Sequence, residues 1–359
     1  MSTVSMQASL GTYKVVRKLG QGGMAEVFQV RRQVPGASPW VQDQEVALKR
    51  IRPELAGNPE YTEMLLEEAR LGAALRHPNL VEAYDVGYHE GQIFFTMELV
   101  RGPELRAIVR EAAKLEGRLQ PSHAIGIVLG VAAGLHHAHQ LCTTSGLPLR
   151  IVHLDVCPSN VLVNDEGYVK LIDFGIAKTD RLAFLRLLAD GSYVGPIPQE
   201  VGDELRRGTL AYMSPEQCMG TPLDRRSDIF SLGVVLWELT TWARLYRGSS
   251  QQEVFDRIVN HDAPPPRTVD PSYPPALESI VMRALQRDPG ARFQTALELQ
   301  EALENFAFAE GLHASPPRLA QLMRKLFPPA PKVERDEASE ALARRYQSIG
   351  SRWSGGRRS

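Results

Sequence analysis

Alternating apolar and polar positions run through much of the first hundred residues and predict strands. The strand pattern covers residues 13–19, 27–30, 46–50 and 93–99. An apolar stripe at helical spacing over 60–75 predicts one helix in this region, which ends at His77-Pro78. The first part of the chain is therefore expected to be rich in strands.

Beyond residue 100 the apolar positions recur mostly at helical spacing. They predict helices over 121–139, 225–241, 277–285 and 295–306. Two short apolar runs, at 161–163 and 169–172, predict strands between the first two of these helices. The fold class that follows is α+β, with strands collected in the first region and helices in the second.

A third pattern begins after residue 309. Ser315 before Pro316 is typical of a helix start, and apolar residues follow at helical spacing up to 327. A proline-rich stretch at 327–332 precedes a second apolar stripe between 342 and 353. This tail either docks on the preceding region, ends in partial disorder, or offers a docking element to a partner or an acidic surface.

Composition and charge distinguish this tail from the rest of the chain. The chain has 359 residues, 43% of them hydrophobic, and a net charge of −1. Residues 311–359 carry ten Lys or Arg and four Asp or Glu, a surplus of +6, so the preceding 310 residues sum to −7. The overall balance predicts no nucleic-acid partner. Apolar runs stay far below the ~20 residues of a membrane span, and three scattered cysteines fit a reducing, cytoplasmic location.

A cluster of glycines, L-G-Q-G-G-M-A-E-V at 19–27, lies between two predicted strands. Glycine allows backbone N–H groups to approach phosphate oxygens without obstruction from a Cβ atom. A dinucleotide-binding loop would lead from the glycines into a helix, whereas here a strand pattern resumes. The sequence therefore favours a hairpin that covers phosphates over such a loop, with a plain glycine-rich hairpin as the alternative.

Two groups of charged residues suit phosphate chemistry. Lys49 ends a predicted strand, where it can neutralise phosphate charge, and Glu67 or Glu68 on the following helix can hold it. The stretch I-V-H-L-D-V-C-P-S-N-V-L-V at 151–163, followed by L-I-D-F-G at 171–175, carries two aspartates and an asparagine. Their oxygens suit Mg²⁺, and an aspartate can also orient a hydroxyl or take its proton. Taken singly, the lysine would be interpreted as a solvated surface residue. Ordinary Asx turns are likewise an alternative for each aspartate and for the asparagine.

The order of these parts resembles the signature set of the protein kinases. Further matches are Ser214-Pro215-Glu216, the stretch S-D-I-F-S-L-G at 227–233, and Arg292. The stretches A-L-R-H-P-N-L-V and G-T-L-A-Y-M-S-P-E-Q look most like the eukaryotic-type serine/threonine kinases of bacteria. The resemblance covers about residues 13–306. It implies a bilobal fold, with an N-terminal extension at 1–12, a kinase domain at 13–308 and a basic helical tail at 309–359. Within the domain, a small β-rich N-lobe ends near 100 and a larger helical C-lobe follows.

The resemblance also implies a reaction, in which the γ-phosphoryl group of ATP passes to a serine or threonine hydroxyl of a protein substrate. The expected ion is Mg²⁺, with Mn²⁺ as an alternative, held by Asn160 and Asp173. Lys49 is expected to contact the α- and β-phosphates with Glu68 as its partner, and Asp155 to receive the substrate hydroxyl. The expected nucleotide-binding residues are Leu19, Gly20, Gln21, Gly22, Gly23, Met24, Ala25, Glu26, Val27, Ala47, Lys49, Met97, Glu98, Val100 and Leu162.

Two departures from the family pattern keep a second hypothesis open. Leu154 replaces the arginine that commonly pairs with a phosphorylated activation-segment residue, so ordering by that route is not expected. Cys157 replaces the lysine that stabilises the transferring phosphoryl group. The alternative is a pseudokinase or scaffold with little or no phosphotransfer. The tail, and the long segment between Asp173 and Glu216, are the expected contact regions for a regulatory partner.

Overall fold

The computed structural model describes residues 9–10, 12–33, 44–143, 145–174 and 209–328. Most of the loop predicted over 33–44, most of the segment between Asp173 and Glu216, and the tail beyond 328 lie outside the described residues. In the part that is described, no helix is both long enough and apolar enough to cross a bilayer.

A six-stranded antiparallel sheet forms the first lobe, in the order β1-β2-β3-β4-β6-β5. Its strands are β1 (Ser9–Leu10), β2 (Tyr13–Gln21), β3 (Ala25–Arg32), β4 (Glu45–Ile51), β5 (Ala83–His89) and β6 (Gln92–Met97). A single long helix, α1 (Pro59–Ala74), packs against β4, β5 and β6. The four predicted strands and the predicted helix of this region are confirmed.

Helix α1 begins where local chemistry allows it. The Asn58 side chain accepts a hydrogen bond from the Glu60 backbone N–H at 2.9 Å, and Pro59 occupies the first helical position. Leu65 and Ala69 are buried in a cluster with residues of β4 and β6. This packing turns one face of the helix, which also carries Glu68, towards the sheet.

Strand β5 was not predicted because its apolar side chains face outward. Tyr84, Val86 and Tyr88 are exposed, so the strand shows no buried apolar stripe. Its place is determined by pairing with β6 and by one close approach. A Cβ atom at Gly87 would lie 2.3 Å from the ring of Phe94 on β6.

The second lobe is helical and includes a two-stranded hairpin, β7 (Val161–Val163) and β8 (Val169–Leu171). Its helices are α2 (Leu105–Leu115), α3 (Pro121–His139), α4 (Pro215–Met219), α5 (Arg226–Thr241), α6 (Gln251–Asn260), α7 (Pro275–Ala284), α8 (Ala296–Ala309) and α9 (Pro316–Leu326). Helices α3 and α5 form the centre, with α8 against α3 and α7 against α5. The four helices and two strands predicted in this region are confirmed.

Helices α2 and α6 were not predicted, although both are amphipathic. Helix α2 buries Leu105, Ile108 and Ala112, and α6 buries Phe255 and Ile258. Charged residues fill the remaining faces, as is usual for helices at the surface of a domain. Helix α9, predicted from Ser315-Pro316, lies beyond the expected domain end at 308 and packs against α2 and α3.

Candidate active site

The glycine cluster forms the turn of a β-hairpin, as the resumed strand pattern predicts. Gly20 on β2 pairs with Val27 on β3, and the Gly22 N–H donates to the Ala25 carbonyl at 2.7 Å. Arg52, after β4, fixes this turn by donating from its guanidinium to the Gly23 carbonyl at 3.0 Å. Because a strand and not a helix follows the glycines, this segment is not a dinucleotide-binding loop.

Beneath this hairpin lies a cleft of about 910 Å³ between the two lobes, within the usual volume of small-molecule sites. Ten of the predicted nucleotide-binding residues line it: Leu19, Gly20, Gln21, Gly22, Val27, Ala47, Met97, Glu98, Val100 and Leu162. The other five lie outside this lining: Gly23, Met24, Ala25 and Glu26 in and beside the turn, and Lys49 on β4. The carboxylate of Glu26 is engaged by Lys18 at 2.6 Å and Arg50 at 3.1 Å.

The sequence analysis did not single out several residues that also line the cleft. Val81 and Ile172 contribute apolar side chains to the lining, and Arg17, Arg101 and Arg106 contribute positive charge. Val81 follows the His77-Pro78 helix stop and Ile172 precedes Asp173, so both neighbour motifs that were recognised. The arginines carry no such local signal.

A cluster of charged side chains around the buried Lys49 lies at one end of the cleft. The Lys49 Nζ atom lies 2.5 Å from Glu68 Oε1 and 2.8 Å from Asp173 Oδ1. Glu67, the alternative partner, instead faces solvent beside Arg70. The site thus joins a strand, a helix and the segment after β8 through one ammonium group.

Each group of this cluster has a shifted pKa. Burial lowers the pKa of Lys49, but Asp173 and Glu68 outweigh this effect and leave the pKa above its usual value. Burial raises the pKa of Glu68 to about 7, with Asp173 adding to the rise and Lys49 opposing it. Burial also acts to raise the pKa of Asp173, but Lys49 outweighs it and the net shift is downward. The cluster is therefore built around a permanently charged lysine.

Asp155 lies in a loop whose backbone is fastened to the core by Asp228 of α5. The Asp228 carboxylate accepts from the backbone N–H groups of His153 and Leu154, each at 2.8 Å, and contacts His139 Nε2 at 2.8 Å. Asp228 is fully buried, so these three partners together compensate its charge. The loop is thereby held independently of the segment that follows it.

A side-chain contact then positions Asp155 relative to Asn160. The Asn160 amide nitrogen donates to the Asp155 backbone carbonyl and to its Oδ2 atom, both at 2.9 Å. Hairpin β7–β8 starts after Asn160 and ends before Asp173, and the Ile172 N–H donates to the Asn160 carbonyl at 2.9 Å. Asp173 has a left-handed backbone, with φ of 58°, that directs the chain away from β8. The hairpin therefore brings Asn160 and Asp173 to the same edge of the cleft, which both line.

The oxygen atoms of Asn160 and Asp173 fit a magnesium ion. With the Asn160 nitrogen engaged by Asp155, its Oδ1 atom accepts no hydrogen bond from any described residue. An amide oxygen and a carboxylate are the hard donors that Mg²⁺ prefers. The three histidines at the end of α3, His136, His137 and His139, are not part of a metal-ligand group within the described part of the chain. Among the described residues there is no group of three or more potential ligands, and His139 is engaged by Asp228.

The two departures from the family pattern have different surroundings. Leu154 adopts a left-handed backbone, with φ of 62°, and its carbonyl accepts a hydrogen bond from Gln217 Nε2 at 3.0 Å. Gln217 is buried on α4, where its Oε1 atom also accepts from the Ser214 N–H at 3.0 Å. Cys157 is 5% exposed, and its carbonyl accepts from the Asn160 N–H at 2.9 Å. Sequence reasoning did not identify Gln217, whose only signal is its place after Ser214-Pro215-Glu216.

Helix α4 is itself anchored by a buried ion pair. Arg292 donates to both oxygens of Glu216 at 2.6 and 2.8 Å, and Ser227 donates to Glu216 Oε1 at 2.7 Å. The Arg292 guanidinium also donates to the backbone carbonyls of Gln286, Arg226 and Arg287. These bonds satisfy both charges inside the lobe.

Comparisons with known proteins agree with this geometry. The protein kinase domain matches residues 13–305. The chain is 36% identical over 297 residues to the tyrosine-protein kinase MasK of Myxococcus xanthus, covering 82% of this chain and 43% of that protein. It is 30% identical over 303 residues to the serine/threonine-protein kinase PrkC of Bacillus subtilis, covering 84% and 42%.

A further relative and a solved structure extend the comparison. The serine/threonine-protein kinase PknB of Mycolicibacterium smegmatis is 34% identical over 296 residues, covering 81% of this chain and 42% of that protein. The chain thus spans less than half the length of these relatives. A crystal structure of the PknI kinase domain of Mycobacterium tuberculosis matches with a TM-score of 0.59 and 26% identity, covering 85% of this chain and all of that one. The chain belongs to the protein kinase family.

Proposed function

We propose that the protein transfers the γ-phosphoryl group of Mg·ATP to serine or threonine hydroxyls of protein substrates. The observation that carries this proposal is the bonding of Lys49 to both Glu68 and Asp173, at 2.5 and 2.8 Å, at the end of an open cleft. The same cleft presents Asn160, which holds Asp155. A site with these parts has the charges and the acceptor group that phosphoryl transfer needs.

Each residue has a distinct part in the reaction. Val27, Ala47 and Leu162 sandwich the adenine ring, and the backbone of 98–100 hydrogen-bonds its edge. Lys49 neutralises the α- and β-phosphates and is kept in place by Glu68. Asn160 and Asp173 hold the magnesium ion, which supplies positive charge to the phosphates when bound.

Asp155 orients the attacking hydroxyl and accepts its proton. Its Oδ2 atom accepts a hydrogen bond from Asn160, which lines the cleft, and this bond holds the carboxylate in one orientation. Positioning and charge neutralisation account for the catalysis, because the chemistry needs no covalent intermediate with the protein.

The pseudokinase alternative is not favoured. All five residues are present: Lys49 contacts Glu68 and Asp173, and Asn160 contacts Asp155. Relatives over the same region are named as kinases. The loss of positive charge at Cys157 predicts a slower enzyme rather than an inactive one.

A direct assay distinguishes the two functions. Transfer of labelled γ-phosphate to the protein itself and to a generic protein substrate is measured for the wild-type chain, Asp155→Asn and Lys49→Met. We expect transfer by the wild type and a loss of at least about 100-fold in both variants. Wild-type transfer no greater than that of the variants would favour the scaffold.

The choice of hydroxyl needs its own measurement, because MasK is named a tyrosine kinase and PrkC a serine/threonine kinase. We propose serine and threonine on the resemblance of the motifs. Phosphoamino-acid analysis of the labelled products tests this, and phosphotyrosine as the main product would overturn it.

We also propose, from the sequence, that a regulatory partner binds the basic tail beyond 328 or the segment after Asp173, and that the protein acts in the cytoplasm. The sparse and odd number of cysteines supports the second point. Charge reversal at Arg344 and Arg345 tests the tail. If the tail binds the acidic body or an acidic partner, activity in the variant loses the salt dependence of the wild type.

A further inference from the structure

The turn of hairpin β7–β8 touches helix α9 without space between them. Gly167, in this turn, has φ of +85°, and a Cβ atom placed on it would lie 1.9 Å from the Pro316 carbonyl oxygen and 2.6 Å from the Ala320 nitrogen. Both contacts are to the backbone of α9, which cannot rotate away as a side chain can. The turn and the first part of α9 therefore fit together only because residue 167 is glycine.

Helix α9 is firmly docked on the second lobe. Its apolar face is almost completely buried, through Leu319, Ala320, Leu322, Met323 and Leu326. It packs against α2 and α3, and the Leu319 side chain would contact a Cβ atom at Gly126 of α3 at 3.6 Å. Lys325 forms an ion pair of 2.9 Å with Glu116, at the end of α2. The helix thus provides a fixed surface under the turn.

The hairpin above this surface carries the metal-binding pair at its two ends. Only three residue pairs, from Val163–Val169 to Val161–Leu171, separate the turn from Asn160 and Asp173. The turn is rigid, because Asn164 Oδ1 accepts from the N–H groups of Glu166 and Tyr168 at 3.1 and 2.8 Å. A displacement of the turn would therefore reach the open end of such a short ladder.

We propose that α9 is a positioning element for the magnesium site and that Gly167 is the residue through which it acts. The matched kinase domain ends at 305, so α9 lies outside it. By docking on α2 and α3 and supporting the turn, α9 fixes the separation and orientation of Asn160 and Asp173. The inference rests on the proposed function, since it assigns α9 a role in holding the ion of that reaction.

The test compares two glycines in the full chain. Gly167→Ala introduces the collision with α9, whereas Gly117→Ala carries similar backbone strain, with φ of +75°, but meets no atom within 4 Å. We expect Gly167→Ala to raise the Mg²⁺ concentration for half-maximal activity about tenfold, with most of kcat recovered at saturating Mg²⁺. Gly117→Ala should change this concentration less than twofold.

A second pair of variants approaches the contact from the helix side. Leu319→Ala with Met323→Ala loosens the docking of α9, and Gln321→Ala on its exposed face is the control. Thermal unfolding identifies variants that are simply unstable. We expect the variant with the loosened helix to need a higher Mg²⁺ concentration for half-maximal activity, as Gly167→Ala does. The measurement is made well below the unfolding temperature of the variant.

Binding of Mn²⁺ by electron paramagnetic resonance, with a non-hydrolysable ATP analogue present, separates this inference from the proposed function. We expect weaker Mn²⁺ binding in Gly167→Ala and in the loosened helix than in both controls. If phosphotransfer is absent but this order holds, the proposed reaction fails and the role of α9 stands. Equal Mn²⁺ affinity in all folded variants would overturn the role of α9.

Discussion

The two lobes hold their halves of the active site in different ways. In the first lobe, Lys49 is held by charged side chains, Glu68 of α1 and Asp173 from the second lobe. In the second lobe, the loop that carries Asp155 is fastened by hydrogen bonds to its backbone groups, from Asp228 on one side and Gln217 on the other. The loop is thus fixed through its backbone by the second lobe, whereas the only partner of Lys49 within the described part of its own lobe lies on one helix.

This difference explains how the chain can lack the usual arginine at Leu154. The backbone N–H of Leu154 donates to Asp228 and its carbonyl accepts from Gln217, so both polar backbone groups are satisfied from within the lobe. Gln217 thus links α4 to the loop through a neutral hydrogen bond. We therefore expect changes in activity to come mainly through α1 and Glu68.

The largest effect, a loss of stability in the second lobe, is expected from breaking the ion pair that anchors α4. Arg292→Ala would leave the Glu216 carboxylate buried without its guanidinium partner and remove three further bonds to backbone carbonyls. Removing one partner of a buried pair costs about 3–5 kcal/mol. Thermal unfolding of the full chain measures the loss.

The control for this anchor is Arg287→Ala, which removes an exposed pair with Asp262 and should cost about 1 kcal/mol or less. Equal losses in the two variants would contradict the view that the second lobe is held by buried bonds.

The next effect concerns the first lobe and should appear in activity rather than stability. Glu68→Gln removes the charged partner of Lys49, and we expect the rate of phosphotransfer to fall about 100-fold. Burial raises the pKa of Glu68 to about 7, which shows that the ionised carboxylate is costly to the fold. The glutamine variant should therefore unfold within about 1 kcal/mol of the wild type.

Glu67→Gln provides the matched control on the same helix, because Glu67 is exposed beside Arg70. It should change neither rate nor stability by a measurable amount. A loss of stability in Glu68→Gln as large as that of Arg292→Ala would remove the contrast between the lobes.

A smaller effect is expected from the tether between α4 and the catalytic loop. Gln217→Leu keeps the size of the side chain but leaves the Leu154 carbonyl and the Ser214 N–H without this partner. The cost of two unsatisfied buried groups is about 2 kcal/mol, and the rate should fall because the peptide before Asp155 is no longer held. Both are measured on the full chain by unfolding and by γ-phosphate transfer.

Met219→Ala serves as the control for the tether, since Met219 lies on α4 and is 41% exposed. If Gln217→Leu loses stability but keeps its full rate, the tether is structural only and does not position Asp155.

The sequence was most informative where chemistry restricts the residue type. Lys49, Asp155, Asn160 and Asp173 were recognisable because their order and spacing resemble a family. In the structure Asn160 and Asp173 line one cleft, and they contact Asp155 and Lys49 respectively. Most strands and several helices with a buried apolar stripe were also predicted. Strand β5 was not, because its position depends on its partner strand and on the contact of Gly87 with Phe94.

Contacts between distant residues were beyond prediction for a general reason. The bond from Gln217 to Leu154 and the contact of Gly167 with Pro316 join residues that are 63 and 149 positions apart. Neither glutamine nor glycine is rare, and nothing in their immediate sequence distinguishes them from residues on the surface. Their roles become visible only when burial and distance are known.

The smallest effect is expected from restoring the family's lysine at Cys157. Its backbone carbonyl already accepts from Asn160, so the position adjoins the proposed metal-binding pair, but residue 157 is only 5% exposed. Cys157→Lys would add positive charge near the transferring group at the cost of crowding a packed site. We expect the rate to rise by about two- to tenfold, measured by γ-phosphate transfer at saturating ATP. Cys142→Lys, at an exposed cysteine, should leave the rate unchanged. An unchanged or lower rate in a stably folded Cys157→Lys would contradict this expectation. The missing positive charge in the second lobe would then not be what limits the rate of phosphotransfer.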